Sequence, residues 1–147
     1  MEVLTKPPST DAKQGLLERM RVAFSRKYFE ENEDEVKEIV ALRASMESEP
    51  VAYNEQLAAA LSFDFMDELP KISTPTLIVT GDEDLVVNPE NSRIMNRLMP
   101  NSRLVILRGA GHLAIIERAD DYNELVLSFM NEVLRGSFKP SKEAEVI

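Results

Sequence analysis

Apolar residues divide the chain near Pro70 into a helical first part and a second part where strand and helix patterns alternate. One helix is predicted to start near Asp11, because apolar side chains then recur at steps of three and four and share one face. The members of this stripe are Leu16, Leu17, Met20, Phe24 and Tyr28. Asn32 and Glu35 have capping-box spacing before a second helix, and the segment Ser48-Glu49-Pro50 suits the start of a third. We therefore expect three short amphipathic helices without strands of their own.

The second part contains two short β-branched apolar runs, which are typical of strands buried on both faces of a parallel sheet. They extend from Thr76 to Thr80 and from Arg103 to Leu107. A helix is predicted between them, opened by Pro89 and stopped by Pro100. The sequence thus predicts the α/β class, with a βαβ unit and a sheet of only two strands.

The clearest helical pattern lies near the end of the chain, where apolar residues occupy one helix face until Gly136. These residues are Tyr122, Leu125, Val126, Phe129, Met130, Val133 and Leu134. The polar residues from Lys139 to Ile147 are expected to fray. The predicted organisation is a helical region at 1–68, an α/β portion at 69–136 and a flexible tail at 137–147.

Composition narrows the function classes. The chain has 147 residues, about the length of one domain, and a formal net charge of −9 without a Lys/Arg stripe, which argues against a nucleic-acid partner. It has no Cys, hence no disulfide or thiolate site, and no apolar run of the ~18 residues that a membrane span needs. We expect a cytoplasmic protein that works without membrane, metal or cofactor.

Candidate chemistry follows each predicted strand. Gly81-Asp82-Glu83-Asp84 comes directly after the first strand and Gly109-Ala110-Gly111-His112 after the second. Ligand crevices of open α/β sheets form outside the carboxyl ends of the strands, so an acid and an imidazole can meet there. Such an acid would fix the ring tautomer and leave the second ring nitrogen free to take a proton from a nucleophile.

Simpler interpretations compete with this one. His112 could be a turn residue whose ring bonds only to backbone, and Asp82, Glu83 and Asp84 could form a solvated turn or a weak site for a hard cation. Ser92 and Ser102 are interpreted as ordinary helix or turn serines at the surface. The methionines are expected mainly in the core, although Met20, Met46 or Met66 could line an acyl pocket.

The second part resembles the carboxyl-terminal half of an α/β-hydrolase fold enzyme. The resemblance is carried by Pro75 to Asp84, by Gly109 to His112 with Glu117 five residues later, and by Phe63-Asp64 leading into Leu69 to Ile72. It implies that Asp84 and His112 are the acid and the histidine of a Ser-acid-His triad, and the family spacing favours Asp84 over Asp82. The helical region is similar, more weakly, to the cap of esterase, lactonase and haloperoxidase-like members.

One departure from the family limits this reading. None of the five glycines frames a serine as Gly-x-Ser-x-Gly, so the nucleophile elbow is missing, along with the earlier strands and the oxyanion hole that the family pattern leads us to expect. We expect an incomplete hydrolase: an expression fragment, a truncated reading frame or one subunit of a split enzyme, inactive alone. A non-catalytic binding or dimerisation module is the alternative. An unpaired strand edge would favour self-association or an amino-terminal partner segment.

Overall fold

The computed structural model describes residues 12–44 and 50–147. Within these ranges, seven α-helices and three β-strands follow one another. In chain order they are α1 (Ala12–Ala23), α2 (Arg26–Glu31), α3 (Glu33–Ala44), α4 (Pro50–Ser62), β1 (Thr76–Gly81), α5 (Pro89–Leu98), β2 (Ser102–Leu107), α6 (Ala114–Glu117), α7 (Ala119–Leu134) and β3 (Glu145–Val146), with a 3-10 helix at Met66–Lys71 before β1. The predictions made at Asp11, Met46, Ser48 and Glu49 lie outside the described residues.

The two predicted strands form the centre of a parallel sheet. β1 and β2 pair in register from Thr76 opposite Ser102 to Gly81 opposite Leu107. The four residues from Leu104 to Leu107 are at most 1% exposed. This confirms the α/β class and the buried parallel strands that the apolar runs predicted.

The frayed tail and the two-stranded sheet are wrong as predictions, because the chain turns back after α7 and adds β3 parallel to β2. The Ile147 N–H donates to Ile106 O at 3.1 Å, and the Arg108 N–H donates to Ile147 O at 2.8 Å. The backbone N–H and C=O groups on the outer edge of β2 thereby gain partners, and leaving such groups unpaired is costly when they are buried. The sequence did not predict β3, because only two residues make the pairing and the residues around them are mostly polar.

A side-chain latch holds the approach to β3. Asn96 Nδ2 donates to Ser141 O at 2.9 Å, and Lys142 Nζ donates to Asn96 O at 2.8 Å and to Met99 O. A cationic group beside the last carbonyls of α5 satisfies acceptors that have no partner within the helix. Ser102, expected at the surface, is fully buried here, and its hydroxyl donates to Asn96 Oδ1 at 2.8 Å.

The first predicted helix is broken in two. α1 ends at Ala23, and α2 begins after Ser25, whose backbone is extended (φ −60°, ψ 150°) and whose Oγ accepts from Tyr28 N–H at 3.3 Å. The apolar spacing passes through the break, because Phe24 and Tyr28 still stack with ring centroids 5.1 Å apart. We call residues 23–25 the α1–α2 junction.

Helices α1 to α3 build a core of their own beside the sheet. Its buried members are Met20, Ala23, Phe24, Val36 and Val40. Met20 is therefore a core residue, whereas Met66 is half exposed. Met99 is buried as predicted, but Met95 and Met130 are exposed. Within residues 12–44 and 50–147, no helix is long and apolar enough to cross a bilayer.

Candidate active site

The loops after β1 and β2 lie against each other at the carboxyl ends of their strands. Asp82 N–H donates to Leu107 O at 3.2 Å, and Glu83 N–H donates to Ala110 O at 2.9 Å. The close approach requires Gly81, because a Cβ there would lie 2.0 Å from Ala110 O. The two glycine-containing segments singled out in the sequence therefore form one joined surface.

The acid and the imidazole meet on this surface. Oδ2 of Asp84 lies 3.0 Å from Nδ1 of His112. Oδ1 of Asp84 accepts from the N–H groups of Val86 at 2.9 Å and Val87 at 2.8 Å, which fixes the carboxylate plane. The Asp84 side chain is 7% exposed and the His112 side chain 40%. A neutral ring that donates from Nδ1 to this buried carboxylate leaves Nε2 unprotonated and able to accept a proton.

Asp82 has a different task from Asp84. Its Oδ1 accepts from the Gly109 N–H at 2.6 Å, so this side chain ties the two loops together and does not reach the imidazole. The choice between the two aspartates, which the residues alone left open, is thus made by geometry in favour of Asp84. Within the described ranges, no group of three or more His, Asp or Glu side chains is placed to hold a metal ion.

The carboxylate of Glu117 contacts the loop that carries His112, and the sequence assigned it no task. Oε1 of Glu117 accepts from Gly111 N–H at 2.9 Å and from Ser25 N–H at 3.1 Å. Oε2 is buried and has no hydrogen-bond partner among the described residues. Glu117 entered the sequence analysis only through its spacing from His112, and no local signal relates it to Ser25, which is 92 positions away.

Tyr28 lies close to this carboxylate, and its pKa is raised. Burial, followed by a hydrogen bond with Glu35 and the negative charges of Glu35 and Glu117, raises the pKa of Tyr28 to about 12. Each cause disfavours the phenolate, because burial removes water and nearby anions repel a second negative charge. The phenol is therefore neutral throughout the physiological range.

Comparisons with known proteins identify relatives of this chain. A family model described as alpha/beta hydrolase fold matches residues 47–119. The polyketide synthase ThaQ of Burkholderia thailandensis is 31% identical over 65% of this chain and 5% of its own length. The putative carbamate hydrolase RutD of Stutzerimonas stutzeri is 32% identical over 52% of this chain and 29% of its own length. A pimeloyl-[acyl-carrier protein] methyl ester esterase of Neisseria meningitidis is 33% identical over 58% of this chain and 27% of its own.

Solved structures share the fold. The enol-lactonase of Burkholderia xenovorans superposes with a TM-score of 0.71 and 24% identity, over 84% of this chain and 46% of its own. The esterase of Exiguobacterium antarcticum gives a TM-score of 0.71 and 22% identity, over 88% of this chain and 47% of its own. The chain thus spans less than a third of the curated relatives and about half of these solved enzymes.

Proposed function

Because this chain belongs to the α/β-hydrolase fold superfamily, we propose that it is the carboxyl-terminal half of a serine-type hydrolase acting on esters, lactones or similar small acyl substrates. The observation that carries the proposal is the 3.0 Å contact between Asp84 Oδ2 and His112 Nδ1 at the ends of adjacent parallel strands. The names of relatives and structural neighbours, a methyl ester esterase and an enol-lactonase, support the substrate class.

In this proposal His112 moves the protons and Asp84 orients it. Nε2 takes the proton of a serine hydroxyl as the serine oxygen bonds to the acyl carbon, and the resulting imidazolium returns it to the leaving alkoxide. A water molecule then repeats the cycle and releases the acid. Asp84 stabilises the imidazolium without accepting its proton, in agreement with its two backbone N–H donors and its burial.

In this proposal the serine is supplied by a segment other than these 147 residues, since no Gly-x-Ser-x-Gly motif occurs in them. Two structural features support a partner segment. Within the described residues β1 pairs with β2 on one side only, and α7 exposes Leu127, Met130 and Leu134 at helical spacing. We propose that an amino-terminal segment, on the same or another chain, pairs with β1 and covers this stripe. Self-association through the same edge is the alternative.

The helical region at 1–68 is proposed to act as a cap beside the site. Its support is the packing of Leu113 and Ile116 against the core of α1 to α3. Leu113 lies in the loop between β2 and α6 that carries His112, residues 108–113, which we call the imidazole loop. The alternative expected from the sequence is a non-catalytic binding or dimerisation module. The observation that supports it is the absence of a Gly-x-Ser-x-Gly motif. A cytoplasmic location also stays a prediction.

Turnover of a short-chain nitrophenyl ester tests the proposal. Three samples are compared: the chain alone, the chain mixed with the part of the enol-lactonase that it does not match, and the chain joined to that part in one polypeptide. We expect background hydrolysis from the chain alone and turnover from the completed enzyme that is lost in His112→Ala. Turnover that survives His112→Ala would contradict the assignment. Activity of the chain alone that is lost in both His112→Ala and Asp84→Ala would contradict its incompleteness.

A further inference from the structure

We propose that Glu117 is a positioning residue, which clamps the imidazole loop to the α1–α2 junction so that His112 meets Asp84 only while α1 to α3 are docked. The consequence for catalysis depends on the proposed function, but the clamp itself does not. The observation behind it is that one carboxylate oxygen, Oε1, accepts from both Gly111 N–H at 2.9 Å and Ser25 N–H at 3.1 Å. A charged acceptor strengthens both bonds.

The residues on either side of His112 are both fixed to the junction. Gly111 precedes it and is held through Glu117, and Leu113 follows it and donates its N–H directly to Ala23 O at 3.0 Å. The imidazole therefore projects from a peptide that is anchored at both ends. Its direction toward Asp84 follows from where the junction lies.

Close backbone packing completes the attachment. A Cβ on Gly111 would lie 2.5 Å from Ser25 N, 2.7 Å from Phe24 C and 2.9 Å from Ala23 O. All three are backbone atoms, which cannot move aside as the end of a flexible side chain can. A methyl group at this position would therefore separate the loop from the junction while leaving Glu117 unchanged.

The same helices also support the acid. Val86, whose N–H donates to Asp84 Oδ1, packs on the core of α1 to α3, as do Leu113 and Ile116. Both members of the pair are thus supported by the core of α1 to α3. Since each loop contacts this core independently, docking of α1 to α3 sets the distance between Asp84 Oδ2 and His112 Nδ1.

The clamp is made by one oxygen of the Glu117 carboxylate, Oε1. Oε2 is buried and unpartnered within the described part of the chain, and leaving a buried acceptor unsatisfied is unfavourable. A glutamine would keep the accepting oxygen for both N–H groups, whereas an alanine would remove it. The Gln and Ala variants therefore separate the hydrogen bonds from mere occupancy of the site.

The experiment uses His112, the only histidine of the chain, as its reporter. Ring ¹⁵N–¹H correlation spectra of the full 147-residue chain at alkaline pH give the tautomer, and amide exchange gives local opening. In the wild type we expect protonated Nδ1. In Glu117→Ala and Gly111→Ala we expect this signal to be lost and the Leu113 amide to exchange roughly tenfold faster or more, with restoration in Glu117→Gln. Glu124→Ala removes an exposed carboxylate and is the control.

The outcomes separate a clamp from general support. A folded Glu117→Ala that keeps the wild-type ring signals would overturn the proposal, and so would a Gln variant as perturbed as the Ala variant. If both alanine variants fail to fold, the wild type still decides. The amides of Ser25, Gly111 and Leu113 must then open together with loss of the Nδ1–H signal, and independent opening would refute the clamp. No turnover is needed, so this result is distinguishable from failure of the proposed hydrolase activity.

Discussion

Asp84 faces His112 across the ends of two neighbouring parallel strands, with 3.0 Å between Oδ2 and Nδ1. The contact joins a carboxylate that is 7% exposed to an imidazole that is 40% exposed. The carboxylate is thus shielded from water, while the imidazole stays partly open to it.

Asp84→Asn is expected to reverse the ring tautomer. An amide can still accept from Val86 and Val87 through one oxygen, but its NH₂ group then faces Nδ1 and favours a proton on Nε2. In the completed enzyme, turnover should fall by about 10⁴-fold, as is found for this change in a Ser-His-Asp triad. Ring ¹⁵N spectra and ester turnover measure the two effects. A variant with the wild-type tautomer and near-wild-type turnover would contradict the assigned role.

Gly81→Ala is expected to destabilise the chain by about 1–3 kcal/mol or more, because its Cβ would lie 2.0 Å from Ala110 O and 2.5 Å from Gly111 O. Gly109→Ala is the matched control. No described atom lies within 4 Å of a Cβ there, and the positive φ of 70° alone should cost about 1 kcal/mol. Urea unfolding measures both. Equal losses for the two variants would contradict the close approach of the loops.

Glu132→Gln is expected to reduce the loss of stability in acid. Arg103 Nη1 and Nη2 donate to both carboxylate oxygens of Glu132 at 3.0 and 3.1 Å, and this hydrogen-bonded pairing lowers the pKa of Glu132 below 4.5. A lowered pKa in the folded state adds stability above about pH 4.5 that disappears as pH falls through the folded value.

The free energy of unfolding at neutral and acidic pH tests this. We expect the variant to lose about 1 kcal/mol or less at neutral pH, since the pair is partly exposed, and to approach the wild type in acid. Glu124→Gln on the same helix is the control, because the structure records no ion pair for Glu124 within the described ranges. The same loss at both pH values would argue against the ion pair.

Tyr28→Phe is expected to extend stability into alkali. The pKa of Tyr28 is raised to about 12, chiefly by burial, so its neutral form stabilises the folded state below about pH 10 and this contribution is lost as pH rises toward 12. Tyrosinate absorbance and the unfolding free energy, both followed against pH, measure the effect. Phenolate formation by all tyrosines at their ordinary pKa in the folded chain would contradict it.

Local patterns predicted the parts of the fold that have their own periodicity. The run from Thr76 and the stripe along α7 were sufficient to predict buried parallel strands and the last helix. The break at Ser25 was not predicted, because the apolar spacing is continuous through it and the N–H that leaves the helix is taken by Glu117. Likewise, β3 depends on ladder partners in β2 and has almost no pattern of its own.

The candidate site was predictable only as far as residue types and strand ends define it. Asp84 and His112 could be named from their positions after two strands, with the family spacing choosing between the aspartates. Glu117 could not be assigned a task, because its partners come from the loop before it and from a junction far earlier in the chain. Long-range contacts to backbone N–H groups leave no signature in the sequence.

The crowding at Gly81 and Gly111 has an evolutionary consequence. Neither residue has a side chain to contribute to a reaction, yet any larger residue would push the two loops apart. A substitution at either position would therefore separate the two loops while Asp84 and His112 stay unchanged in the sequence. Relatives that keep the acid and the histidine but replace either glycine are therefore expected to hold these two side chains at a different distance.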